Sequence, residues 1–337
     1  MFKYFFKRMA LVALIMIIVS SITFFIVRWL PGDPVFLWVG DHPTKEQIDQ
    51  ARSYLGLNQP LHKQYLSFLK KTVSLDLGVS LRTKQPVSKE LVSRFSATFE
   101  LVSFSMLIAI LLGFPMGLIS ALKQKTFMDY AFRGFGYLGL SIPVFWLGMV
   151  LQLIFFGALY WLPLQGRFSG VGSLDSPLLY NSGFLLMDSF LSANWVFFVD
   201  VLRHIALPAF TMAFGVLGIV FRTVRSSMID TMNAPFFNTF KSFGFSNNEV
   251  VKESAYKNTL VPTSTVVGLS FGLMLGGTFL VESIFDWPGL GQFSVLSILT
   301  RDFPSIIGVT LLYSLVYVVI NFIVDLFYGI IDPRIHD

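Results

Sequence analysis

The sequence predicts an all-α membrane protein. It has six transmembrane helices, an extracytoplasmic insertion after the first, and a cytoplasmic loop with a short helix between the fourth and fifth. Three observations carry this. Apolar residues make up 54% of the 337, and charged residues only 13%, about half the share of a soluble domain. Six stretches approach the roughly 20 apolar residues that cross a bilayer. Lys and Arg also sort by side: with the N-terminus inside, the inner segments carry 12 and the two short outer loops carry 3, which places both termini in the cytoplasm. High apolarity excludes a disordered chain. Cys 0 excludes disulfides, thiolate catalysis and Cys-ligated metals, and leaves the redox compartment open.

The spans follow in order. Met9–Val27 is the first. Lys3, Lys7 and Arg8 precede it as they would a signal peptide. No small-x-small cleavage site follows, so it reads as a retained span. Leu101–Leu122 is the second, Gly134–Gly166 the third, as one tilted helix with its exit turn, and Ile205–Phe221 the fourth. Asn258–Val281 and Phe303–Val324 are the fifth and sixth. Leu178–Phe198 is apolar but interrupted by Asp188, and reads as an interfacial or re-entrant segment. The domain organisation expected is a cytoplasmic N-terminus and first span (1–28), an extracytoplasmic segment (29–97), a core with spans two to six (98–331) and a cytoplasmic tail (332–337).

In the extracytoplasmic segment, Leu30-Pro31-Gly32-Asp33-Pro34 stops the first helix, because proline lacks the N–H that continues it. Helices are expected over Thr44–Tyr54, capped by Thr44, and Leu61–Val73. The segment reads either as a folded cap or as a docking surface. In the loop 222–262, a helix over Phe236–Phe243 ends at Gly244, suited to the left-handed C′ position. Ser246-Asn247-Asn248-Glu249 reads as a capping box that starts a second helix running toward Leu260. From this alone the loop is either an ordinary solvated connection or a lever. Gly268, Gly272 and Gly276 recur every four residues in span five, and Gly113 and Gly117 do so in span two. Such spacing lets membrane helices approach closely.

Several chemistries are missing. There is no phosphate loop and no HExxH. His42, His62, His204 and His336 make no metal spacing. No ionisable residue lies deep in a span; Glu100, Glu282 and Asp286 sit at outer ends and Asp325 near the inner end of span six. A secondary transporter or channel would place an ionisable group at depth. A membrane enzyme would pair Ser with His or two acids, and His204 has no evident partner. What is left is a protein that moves something or signals, with its energy supplied elsewhere.

The cytoplasmic loop carries a resemblance. Arg225-Ser226-Ser227-Met228, Thr239-Phe240-Lys241-Ser242-Phe243-Gly244-Phe245-Ser246 and Asn258-Thr259-Leu260-Val261-Pro262 resemble the "EAA" loop of ABC-transporter permeases. Leu30–Pro34, Leu55–Leu61, Asp76–Arg82, Glu282–Gly291 and Asp332-Pro333-Arg334-Ile335 resemble motifs of the bacterial dipeptide/oligopeptide/nickel permeases of the first-subunit type. The resemblance spans essentially the whole chain. It implies a non-catalytic multi-pass subunit of the bacterial inner membrane, in contact with lipid and not with nucleic acid. A second homologous permease would complete the translocation path. Two ATPase subunits would bind ATP-Mg, while this chain would bind no cofactor and no metal. An extracytoplasmic solute-binding protein would deliver the substrate. The resemblance makes the helix before Gly244 a coupling helix, with Asn238, Thr239, Phe240, Lys241, Ser242, Phe243 and Gly244 as the ATPase-contact residues. The family's Glu-Ala-Ala corresponds here to Asn238-Thr239-Phe240, and Phe243 stands where Lys is common. The segment Ser182–Ser192 resembles dipeptide permeases, which favours di- or short-peptide import over nickel or another small solute. Ser105, Gln152, Thr211, Ser270, Thr278 and Asn321 are read either as helix–helix hydrogen bonds or as lining of the path, whose residues stay unknown.

Overall fold

The computed structural model describes residues 2–29, 35, 39, 43–54, 56–170, 182–251 and 256–331. Among the described residues the regular structure is helical, with no strand beyond one isolated antiparallel pairing, Val79 with Pro86. Among the described residues four helices are long and apolar enough to cross a membrane: Val87–Leu122, Trp195–Asn233, Asn258–Gly277 and Phe303–Ile323. A bent pair makes a fifth crossing if taken as one span. The Leu30–Pro34 stop, the residues 332–337 and part of the second loop helix (252–255) lie outside the described residues.

The chain forms two compact units. The first comprises Met1–Ala97 and Pro288–Val318. It opens with α1 (Phe2–Trp29), whose apolar part is Ala10–Ile26. Then come α2 (Lys45–Tyr54) and α3 (Leu61–Val73). Thr44 and Gln47 cap α2 reciprocally: Gln47 N–H reaches Thr44 Oγ1 at 3.3 Å, and Thr44 N–H reaches Gln47 Oε1 at 2.9 Å. The unit continues with the first turns of α4 (Val87–Leu122). Its core is Val87, Leu91, Leu290, Phe293 and Val309. The carboxylate of the fully buried Asp302 is satisfied by the Ser80 hydroxyl, the Leu81 N–H (2.9 Å) and the Ser305 hydroxyl (2.8 Å).

The second unit comprises Thr98–Trp287 and Val319–Asp337. Its centre is α8 (Trp195–Asn233), most of whose apolar stretch is buried. It is preceded by α5 (Phe127–Ser141), α6 (Val144–Gln152, running on as a π-turn to Ala158) and α7 (Leu185–Leu191). The expected third span is not one tilted helix: α5 and α6 meet at 104°. Pro143 is the reason. It removes a helical donor and forces Ile142 to extended backbone (φ −83°, ψ 125°). The expected interfacial segment is also revised. Its residues up to 181 lie outside the described residues, α7 is a separate short helix, and Trp195–Phe198 already belong to α8. The fifth expected span is α11 (Tyr256–Gly277), separated at Thr278 from α12 (Phe279–Ile284). Completing the chain are α13 (Leu290–Leu299) in the first unit and α14 (Phe303–Ile331), which runs through both.

The closest helix crossing is one that spacing did not reveal. Gly136 and Gly139 of α5 face α8, and a Cβ on Gly139 would stand 2.5 Å from the Phe214 carbonyl oxygen. A Cβ on Gly218 would stand 2.5 Å from the Gly136 carbonyl oxygen. Backbone therefore touches backbone, which only glycine permits. Gly117 of α4 lies as close to Val224, where a Cβ would meet the valine Cβ at 2.7 Å.

Near the N-terminal end of α8 lies a buried polar network. Arg167 donates to Glu100 at 2.5 Å and to the Gly183 carbonyl at 2.6 Å. Glu100 also accepts from Leu186 N–H at 2.7 Å. Asp188 accepts from Ser182 and Gly183, and fully buried Glu282 accepts from Thr98 at 2.7 Å. The Arg167 guanidinium sits 5.7 Å from the Trp287 ring centre. From their positions in the sequence, Glu100 and Glu282 are only residues at span ends.

Candidate functional site

The loop after α8 is short and tightly determined. α8 ends at Asn233, and Ala234, in extended conformation, turns the chain. Pro235 opens α9 (Pro235–Ser242), a first-turn position where its missing N–H costs nothing. Asn238, Thr239, Phe240, Lys241 and Ser242 all lie on this helix, which begins and ends one residue earlier than expected. Phe243 follows it, and Gly244 has φ +89°, the left-handed conformation anticipated from its identity. Phe245 N–H then bonds the Phe240 carbonyl at 3.3 Å, the six-to-one bond of a Schellman ending. The Phe240 and Phe245 rings meet edge to face with centroids 5.7 Å apart, supplying the apolar contact that goes with that motif.

The capping box forms next. Ser246 N–H donates to Glu249 Oε2 at 2.7 Å, and Glu249 N–H donates to Ser246 Oγ at 3.3 Å. The Ser246 hydroxyl and N–H together hold the Glu249 carboxyl below the usual glutamate range. This opens α10 (Asn247–Val250).

One face of the loop is fastened down. Phe237 is 3% exposed and packs with Ala121, Met228 and Val250. Burying a ring of this size contributes about 2–3 kcal/mol. The other face is open: Phe240 is 39% and Phe243 77% exposed. Beneath the loop, Arg225 of α8 grips Asp129 of α5 with two bonds, Nε to Oδ1 at 2.9 Å and Nη2 to Oδ2 at 3.1 Å. Its Nε also donates to Ser120 of α4 at 2.9 Å. The three helices α4, α5 and α8 are thus tied together close to where Phe237 and Val250 pack on Ala121 and Met228. Arg225 was within a sequence motif; Asp129, 96 positions away, gave no local signal.

The remaining candidates are dispersed. Gly268 and Gly272 are buried on α11, while Gly276 is exposed and a Cβ there would meet nothing within 4 Å. The Ser105 and Thr211 hydroxyls return to carbonyls of their own helices, at Leu101 and Leu207, and do not bridge helices. Gln152 does bridge, donating to the carbonyls of Leu164 and Ile284. The buried Thr278 hydroxyl has no hydrogen-bond partner. Among the described residues no cluster of acids or histidines could hold a metal.

A multi-pass helical chain with an ordered loop helix, anchored on one side and open on the other, belongs to the class of membrane subunits that work through partners. Residues 113–337 match the family model described as binding-protein-dependent transport system inner membrane component, and residues 1–102 match its N-terminal companion. The chain belongs to this family of non-catalytic permease subunits of ABC transporters. It is 40% identical, over 94% of its length and 92% of the relative's, to the probable D,D-dipeptide transport system permease protein DdpB of Escherichia coli K12. It is 35% identical to the dipeptide transport system permease protein DppB of Alkalihalophilus pseudofirmus, over 99% of each chain. It is 36% identical to the di/tripeptide transport system permease protein DppB of Pseudomonas aeruginosa, over 94% of each.

Proposed function

We propose that this permease forms half of the translocation path of an ATP-driven importer of di- or short peptides in the bacterial inner membrane. The names of its relatives support the substrate class. A second, homologous permease supplies the other half. Two ATPase subunits hold ATP-Mg, and an extracytoplasmic binding protein delivers the peptide. The chain crosses the membrane six times with both termini in the cytoplasm: α1, α4, the α5–α6 pair, α8, α11 and α14 are the spans. Residues 29–97 form the extracytoplasmic segment between the first span and the 98–331 core, and 332–337 form the cytoplasmic tail. Gly268 and Gly272 pack within the fold, and Gly276 meets a neighbouring subunit.

The observation that carries the reading is α9. It is fixed to the bundle through Phe237 and stiffened at its end, yet leaves Phe240 and Phe243 uncovered. In this reading Asn238, Thr239, Phe240, Lys241, Ser242, Phe243 and Gly244 make the ATPase contact, a helix laid in an apolar groove. Closure of the ATPases pushes α9, and the Arg225–Asp129 clamp passes the push to α4, α5 and α8, rocking the bundle between two states.

The test is purification of the chain from its native membrane with identification of what accompanies it. A second permease and two ATPases, with uptake of labelled dipeptide in proteoliposomes that requires ATP and the binding protein, are expected. Recovery of the chain alone, competent for uptake without ATPases, overturns the proposal.

A further inference from the structure

The first unit contains a cleft of about 660 Å³. Its apolar wall comes from four places: Phe24 of α1, Phe68 of α3, Leu77 and Val79 of the turn before α4, and Ile307 of α14. Its rim is basic. Arg28, Lys63 and Lys71 line it against the single carboxylate of Asp76. Arg28 is held in place, donating from Nε (3.0 Å) and Nη2 (2.7 Å) to Gln64 Oε1, 4.6 Å from the Phe24 ring centre. The Lys63 and Lys71 ammonium groups have no ion-pair or hydrogen-bond partner among the described residues. Asp76 is occupied with the N–H of Gly78 at 3.2 Å.

The surroundings of the cleft point to a membrane surface. α1 ends at Trp29, which is 84% exposed, and exposed tryptophans at the ends of apolar helices anchor in the head-group layer. α3 has no buried residue, and shows Leu61, Leu66 and Val73 to its surroundings beside Lys70 and Lys71. Apolar side chains on one part of a helix and lysines on another suit a helix lying in the interface. The cleft thus joins a cationic mouth to an apolar interior at head-group depth.

We propose that this cleft is a binding site for one acidic phospholipid, its phosphate against Lys63, Lys71 and Arg28 and the start of an acyl chain against Phe24, Phe68 and Ile307. A zwitterionic lipid gains nothing from the surplus positive charge, and a free phosphate gains nothing from the apolar walls. The site requires α1 to be membrane-embedded, but is independent of which solute the transporter moves.

The test is native mass spectrometry of the full chain with its co-purifying subunits, in detergent, with phosphatidylglycerol, phosphatidylcholine or glycerol 3-phosphate added. One phosphatidylglycerol per chain is expected to persist, phosphatidylcholine to wash away, and glycerol 3-phosphate to compete poorly. Lys63→Gln with Lys71→Gln should weaken retention roughly thirtyfold, the equivalent of on the order of 1 kcal/mol for each of the two lysines near a membrane surface. Ser67→Trp puts a bulky ring into the cleft without removing a cation and should weaken retention at least as much as the lysine variant, with melting in lipid-free detergent showing that the variant is folded. Equal retention of both lipids overturns the proposal, as does efficient displacement by glycerol 3-phosphate. Loss in the lysine variant but not in folded Ser67→Trp would place the lipid on the outer surface and overturn it as well.

Discussion

The two ends of α8 are built on opposite principles. Around its N-terminal end the polar groups answer one another. Glu100, Arg167 and the Gly183 and Leu186 backbones are joined in one set that leaves only Arg167 Nε without a partner among the described residues, Ser169 bonds Asp200 on α8 itself at 2.8 Å, and Arg203 reaches the Trp161 carbonyl. Beyond its C-terminal end, above the long-range Arg225–Asp129 clamp, the loop is shaped by local hydrogen bonds that span five residues or fewer between Thr239 and Val250. The loop's aromatic face is left uncovered. The first end gains rigidity from groups far apart in sequence. The second is shaped by its own few residues and finishes on a surface for another chain. A rigid bundle with a self-shaped contact helix can pass a push inward without refolding.

The contrast breaks most readily at the rigid end. Arg167→Met leaves Glu100 buried without its cation, at a cost of about 3–5 kcal/mol. Thermal unfolding in detergent and membrane abundance should both fall. Adding Glu100→Gln removes the stranded charge and should restore more than half of the loss. If Arg167→Met unfolds like the parent, the network is not what stiffens this end.

The same contrast explains what could be read from the residues beforehand. Gly244, Ser246 and Glu249 specify their turn and cap through neighbours within three positions, so their geometry was expected and is found. The α3 bounds were equally legible, set by Pro60 at one end and a polar turn at the other. Glu100 and Arg167 are 67 positions apart, and Asp129 and Arg225 are 96 apart. No local pattern joins such pairs, so the clamp under the loop was invisible. The α5–α6 bend was in principle visible in Ile142-Pro143 but was hidden by an unbroken apolar run. The Gly136 and Gly139 crossing is not marked by a four-residue spacing, because those glycines are three apart.

At the open end, Phe240→Asp puts a charge on the uncovered face. Folding should be little affected, because the ring is 39% exposed and the anchor is Phe237, so that only the edge-to-face contact with Phe245 is lost. Docking of an ATPase should weaken by on the order of 2 kcal/mol or more, as for an aromatic at the centre of a contact, and the subunits should separate during purification. An intact complex after detergent extraction would exclude Phe240 from the interface. Gly244→Val sharpens the point. A Cβ there meets nothing within 4 Å, so the penalty is purely backbone, about 1–2 kcal/mol for a side chain held in the left-handed region. The variant should reach the membrane at near-normal levels, while ATP hydrolysis continues with reduced peptide uptake. Normal uptake per ATP would show that the stiff ending of α9 is not needed for coupling.

The smallest effect separates the two halves of the loop. Ser246 donates two hydrogen bonds to the ionised Glu249 carboxylate and lowers its pKa. The folded value therefore lies below the unfolded one. The cap's contribution is complete above the ordinary glutamate range and is lost as pH falls through the folded value. The Schellman ending of α9 contains no titrating group in its Phe245-to-Phe240 bond. Amide exchange, corrected for its intrinsic pH dependence, should show protection at Ser246 and Glu249 declining in acid while protection at Phe245 holds. In Glu249→Gln the neutral amide oxygen still accepts from Ser246, and the acid-dependent decline should disappear. If Phe245 loses protection in parallel with Ser246, the turn and the cap melt as one unit, and the loop is a single cooperative element.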